Sequence, residues 1–229
     1  MEENALLSLL QFSDGLFPAG GFAHSFGLES YAQAGKVKTA GEIEGFIQTY
    51  LEGSVGPCDA VAVVAALLLG HKDDLDACFS LDALLDAMKP VAEFREASRQ
   101  MGRQSLRIAV HLFSSRLLGA VFECAEKDQT PCHHSLAYGL IGSQLGWPAE
   151  AAATAYLYAT TSLLVGAALR LFPLGQREGQ KIVWAMAPTI SRLAREAKGK
   201  GVNDLWSFVP GIEIAGMKHA TLEARLFRS

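Results

Sequence analysis

The sequence is short of charge. Only 19% of its 229 residues are Asp, Glu, Lys or Arg, against 50% hydrophobic ones. A net charge of -4 and a pI near 5.9 exclude a nucleic-acid binder driven by bulk positive charge. Cysteine is scarce too. Cys58, Cys78, Cys124 and Cys132 form no CxxC pair, so no dense disulfide framework is expected. The acidic start Met1-Glu2-Glu3-Asn4 has the wrong sign for a signal-peptide n-region. Reduced thiols and a cytoplasmic location are the expectation. No GxSxG, HExxH or P-loop is present, so the local signatures of the commonest hydrolytic and phosphate-binding sites are missing. No run alternates with strand period, and there is no repeat and no low-complexity segment.

What remains is helical and apolar. The expectation is all-α: a single domain over residues 1–229, a bundle of roughly ten helices with a central apolar helix and a C-terminal tail over about 217–229. Thr39 followed by Glu42 is a capping box opening a helix that carries Ile43, Phe46, Ile47, Tyr50 and Leu51 at helical spacing. Pro57 and Asp59 read as the start of an all-apolar helix to Leu69, which must be central. From Ala151 to Leu169 no residue is charged, about the length that spans a bilayer. Its Thr and Ala content, and the lack of other Lys/Arg-flanked spans, favour a buried helix instead.

Three clusters carry polar groups worth testing. Asp14 to Ser30 holds Gly15, Gly20, Gly21, Gly27 and Pro18 among anchoring Leu16, Phe17, Phe22, Phe26 and Leu28. That composition predicts an aromatic-anchored turn running into a helix from about Ser25 to Ala34, stopped by Gly35. Ser25 and Glu29 are four apart and can meet. In a bland reading Ser25 caps the helix, with His24 exposed and Glu29 solvated. In a sharper one His24 and Glu29 are the polar groups of a surface shaped for a partner or ligand. In the second cluster, Arg95, Arg99, Arg103 and Arg107 form a basic stripe on a long helix over about 91–113, with Glu93 and Glu96 in reach. Gly102 inside it costs about 1 kcal/mol relative to Ala, which points to close packing by a neighbour. The third, Cys132-His133-His134, has ligand types that suit Ni, Zn or Cu. Neighbouring residues on a helix point about 100° apart, so the spacing favours a helix start over a metal cluster.

Several of these residues fall into ordered motifs. Phe12-Ser13-Asp14 running into Pro18-Ala19-Gly20-Gly21-Phe22-Ala23-His24-Ser25-Phe26-Gly27-Leu28-Glu29 resembles the N-terminal signature of the urease accessory protein UreF family. Arg95-Glu96-Ala97-Ser98 with Gly102-Arg103, then Pro173-Leu174-Gly175-Gln176 with Gly179-Gln180, then Arg225-Leu226-Phe227-Arg228-Ser229, resemble its later motifs. The resemblance implies a non-enzymatic, dimerising protein. It would bridge the GTPase UreG and the scaffold UreD (UreH), which docks on apo-urease, while Ni²⁺ passes in transit, with no tightly bound cofactor and no metal ligands of its own. No nucleic-acid partner is expected from the charge balance, and no membrane partner from the buried-helix reading of the apolar runs. Partner-contacting residues would be His24, Ser25, Glu29, Arg170, Gln176 and the tail Arg225, Leu226, Phe227, Arg228 and Ser229. His24, Ser25 and Glu29 would lie near the partner surface or the metal route, Arg170 near the GTPase, and the tail would become ordered against the scaffold. The competing reading is an independent metal carrier using Cys132, His133, His134 and His219.

Overall fold

The computed structural model describes residues 1–229 and contains helices and no strands. In chain order they are α1 (Glu3–Ser13), α2 (Leu28–Gln33), α3 (Ala40–His71), α4 (Leu75–Ala87), α5 (Ala92–Leu112), α6 (Arg116–Glu126), α7 (His134–Gln144), α8 (Ala149–Leu171), α9 (Gln176–Ala185), α10 (Ala187–Lys198) and α11 (Pro210–His219). Helices α9 and α10 are one helix interrupted at Met186, just before Pro188, which sits in the first turn of the second part.

The capping box at the start of α3 forms as the sequence predicts: Thr39 Oγ1 accepts from the Glu42 N–H, and Glu42 accepts from the Thr39 N–H at 2.9 Å. The expected new helix at Pro57 does not. Helix α3 runs on unbroken through Leu51–Ala60, which is wound as π-helix. In an α-helix Gly53 would look to the missing N–H of residue 57 for its partner. Instead its carbonyl accepts the Phe208 N–H at 2.7 Å, and the Pro57 carbonyl accepts from Trp206 at 3.4 Å. An extended strip over 205–209 therefore supplies from outside what the proline removes.

The core lies where the second half of α3, α7 and α8 pack together. Every residue from Val61 to Leu67 is buried, as are Leu136 to Ser143 of α7. Helices α3 and α8 are both long and apolar enough to cross a membrane, but 83% of the apolar window of α3 is covered by protein. It is the central core helix. Helix α8 is covered over only half of its window, so one side of it is a core face and the other an uncharged surface.

Helix α5 carries the arginine stripe, and the chain neutralises most of it itself. Arg99 pairs with Asp86 at 2.6 Å, Arg103 with Asp128 at 2.7 Å and Arg107 with Glu126 at 3.0 Å, while Arg95 donates to the Lys89 carbonyl at 2.8 Å. Gly102 is pressed by a neighbour, as expected, but by backbone just before α7 rather than by a helix. A Cβ there would stand 2.0 Å from the Cys132 carbonyl oxygen. Cys132 itself has a left-handed φ of 64°. Buried Asp82 secures that turn by accepting from the N–H groups of Cys132 and His133 and from the Thr130 hydroxyl.

Candidate functional site

The turn over 14–27 and the C-terminal residues meet and form one structure. Gly20 and Gly27 take left-handed φ values of 94° and 87°, which glycine adopts without steric cost. A short 3-10 turn over Gly21–Ala23 leads into His24 in extended backbone, and α2 starts only at Leu28. The helix predicted from Ser25 is thus shorter, because Gly27 bends the chain just before it. Ser25 still tends the helix start: its Oγ accepts the Glu29 N–H at 3.3 Å.

Ser25 keeps the place at the helix start that the bland reading gave it, but His24 is not exposed and Glu29 is not solvated. His24, Ser25 and Glu29 are all buried, neither solvated nor presented to a free surface. They hold the chain's own tail. The Ser229 carbonyl accepts from the N–H groups of Ser25 at 2.6 Å and Phe26 at 3.1 Å, and from Ser25 Oγ at 2.8 Å. Ser229 Oγ and His24 Nδ1 are 2.9 Å apart. The Arg228 N–H donates to the Ala23 carbonyl at 2.8 Å. Glu29 accepts from the Leu226 N–H at 2.7 Å and the Phe227 N–H at 3.0 Å. Its Oε2 also lies 2.9 Å from His219 Nε2, and the other ring nitrogen of His219 is 2.7 Å from Glu93. Arg225 completes the chain of polar contacts on Glu93 at 2.9 Å.

The tail bends at Leu226 and Phe227, with Phe227 and Ser229 buried and Leu226 and Arg228 exposed. Arg170, near the end of α8, covers Phe227. Its guanidinium carbon lies 3.7 Å from the Phe22 ring centroid and 4.3 Å from that of Phe227, and Nη1 donates to the Phe22 carbonyl at 2.7 Å. Such cation–π contacts are worth about 0.5–2 kcal/mol each. We call this arrangement the latch. Of the ten partner-contacting residues expected from the sequence, nine meet in it; Gln176 stands apart, exposed at the start of α9. The tail, expected to gain order against a partner, is already docked in the isolated chain.

Electrostatics follow from this packing. Burial pushes the Glu29 pKa up, but the Leu226 N–H, His219 and the Phe227 N–H outweigh it and hold the carboxyl below its ordinary range. Burial, then the charge of Arg228, lowers His24 to about 4, so its ring is neutral at pH 7. Sequence reasoning missed Glu93 and His219 as members of the latch. Glu93 reads as a helix-surface partner of the arginine stripe, and the residue it meets, His219, is 126 positions away.

The Cys132-His133-His134 run is dispersed. His133 is buried and spans Ser98 and Asp86 with its two ring nitrogens. Burial lowers His134 to about 4. Burial, then Asp82, pushes the Cys132 thiol well above its usual value, which keeps it protonated and a poor metal ligand. No three His, Cys, Asp or Glu side chains are grouped so as to hold a metal ion.

Beside the latch, the exposed side of α8 lines two grooves, of about 1110 Å³ and 570 Å³, which share Ser13, Asp14, Gly15 and Ser162. Small residues such as Ala151 and Ala155 lie in the first and Gly166 in the second. Large apolar side chains stand around them: Trp184, 83% exposed, with Leu10, Tyr158, Leu16 and Phe22.

Comparison with known proteins agrees with the motifs. The sequence model of the UreF family matches residues 37–187. The chain is 33% identical to a protein named urease accessory protein UreF from Trichodesmium erythraeum over 221 residues, covering 96% of this chain and 95% of that one. It is 32% identical over 226 residues to the protein of that name from a Bacillus species, covering 99% and 100%. With the one from Corynebacterium glutamicum it shares 33% identity over 229 residues, the full length of both. The flanks that the family model leaves out carry most of the latch and lie inside the match to the Corynebacterium protein. The chain belongs to the UreF family of urease accessory proteins.

Proposed function

We propose that this protein acts without catalysis of its own in urease maturation, holding the GTPase UreG and the scaffold UreD (UreH) in register so that Ni²⁺ can pass to apo-urease in the cytoplasm. The observation that carries the reading is how its groups are spent. The convergent polar side chains of the signature are used up on its own tail, and what faces outward beside them is apolar. A surface of that kind binds proteins.

The uncharged side of α8 takes a second copy of the chain. It offers both projections, Trp184 and Tyr158, and a groove floored by small residues to receive them. A patch that carries its own complement suits a two-fold, isologous dimer. The tail, with Leu226 and Arg228 facing outward, meets the scaffold, and the end of α8 around Arg170 meets the GTPase. The protein influences the GTPase by binding one of its states better than another, because only differential affinity shifts such an equilibrium. Nickel is cargo here, passed between partners rather than stored.

The test is co-purification of UreG and UreD with the wild-type chain and with one truncated after Ala220, together with GTP hydrolysis in the assembled complex. The truncation is expected to lose at least one partner. Retention of both by the truncated chain refutes the tail's role. Turnover of a small molecule by the purified chain alone refutes the whole reading.

A further inference from the structure

The latch and the exposed side of α8 share parts. Phe22 is 74% exposed and borders the smaller groove together with Leu16, Ser162, Gly166 and Arg170. Its position is fixed from two directions, and the tail contributes to both. Behind the ring, Arg170 is held between Phe22 and Phe227. Along the backbone, the next residue, Ala23, accepts the Arg228 N–H, and Ser25 and Phe26 donate to Ser229. The 3-10 turn that carries Phe22 has no side-chain cap of its own. It rests against α8, since a Cβ on Gly21 would stand 2.6 Å from Leu163 Cδ1.

We infer that tail docking and pairing of two copies through α8 are thermodynamically linked: the docked tail sets Phe22 as an edge of the pairing surface, and a second copy seated on that surface holds the tail down. This rests on the pairing proposed above. Undocking the tail removes one aromatic face from Arg170 and three backbone hydrogen bonds from residues 23–26. Phe22 keeps its contacts with Arg170 and its turn still rests on α8, but the backbone on its C-terminal side is no longer held, and the pairing surface loses a fixed edge. By linkage the reverse holds with the same factor. The consequence is a protein whose tail undocks more readily as a single copy than as a pair.

Sedimentation equilibrium and hydrogen exchange on the full-length protein test this. The dissociation constant of the pair is measured for the wild type, for the chain truncated after Ala220 and for Phe227→Ala, with exchange in α7 as the check that each variant is folded. Both changes are expected to weaken pairing on the order of tenfold, within the usual range of coupling between sites. Exchange of the Leu226 and Phe227 amides in the wild type is expected to slow as concentration rises through the dissociation constant. Equal dissociation constants for all three, with tail exchange independent of concentration, overturn the linkage and leave the pairing standing. A wild-type chain that stays monomeric at every concentration overturns both.

Discussion

Glu29→Gln isolates the latch chemistry with almost no change of shape. The carboxylate presents Oε1 to the Leu226 N–H and Oε2 to the Phe227 N–H and His219. In the amide one of those oxygens becomes an NH₂ group, so at least one backbone N–H faces a donor. A hydrogen bond to a charged acceptor is worth about 1.5–3 kcal/mol, and stranding its buried partner costs about 1–3 kcal/mol. Docking of the tail is therefore expected to weaken by about 2–4 kcal/mol. Because the tail opens locally, the loss is read as faster native-state hydrogen exchange at Leu226, Phe227 and Arg228, roughly 30- to 900-fold at 1.36 kcal/mol per tenfold. The amides of Leu140 and Ile141, deep in α7, are expected to exchange as before. Unchanged tail exchange would show that Glu29 does not hold these amides. Equal acceleration in α7 would show that the latch is part of the global fold rather than a detachable element.

Acid weakens the protein through its buried rings. His24 and His134 are both lowered from 6.5 to about 4, so the unfolded chain binds protons that the native one refuses. Stability starts to fall below about pH 6.5 and goes on falling to about pH 4. By pH 5 the loss is about 2 kcal/mol per ring, and urea titrations that show equal stability at pH 7 and pH 5 would contradict this. Glu29, lowered rather than raised, adds its own loss at still lower pH, as it is protonated. Lys89 is raised because Asp59, 2.9 Å away, outweighs the cost of its burial. Lys89→Met strands that carboxylate and should cost about 3–5 kcal/mol; a thermal shift corresponding to under 1 kcal/mol would refute the pairing. Gly102→Ala gains about 1 kcal/mol of helix propensity but drives a methyl into the Cys132 carbonyl. A net loss of about 1–3 kcal/mol is expected, and a higher urea midpoint would refute the close approach.

Local rules carried much of the fold. Thr39 and Glu42 form the box their spacing predicts, because capping involves only neighbours along the chain. Gly102 was legible as a point of close packing, since a glycine inside a long helix needs a reason. What could not be read were bonds made across the chain. Pro57 looks like a helix start, and only a donor at residue 208 makes it an interior residue. Glu29 looks solvated until Leu226, 197 positions later, lays its N–H on it. The motifs bring the latch residues to notice but not their pairing, so residues expected at an outer surface turn out to face one another. In the arginine stripe the Glu96 pair with Arg99 was legible because it is local, whereas Asp86, Asp128 and Glu126 lie off the helix and were not.

The borrowed donors of the π-helical segment have a consequence for synthesis. Helix α3 lies in the first third of the chain, yet the N–H groups that satisfy Gly53 and Pro57 belong to residues 208 and 206. A ribosome must add more than a hundred residues after this helix, as far as Phe208, before its middle is complete. Until then the nascent chain carries that helix with a gap at its centre and its greasy sides uncovered. Residues 206 and 208 thus close the interior before residues 225–229 can close the latch.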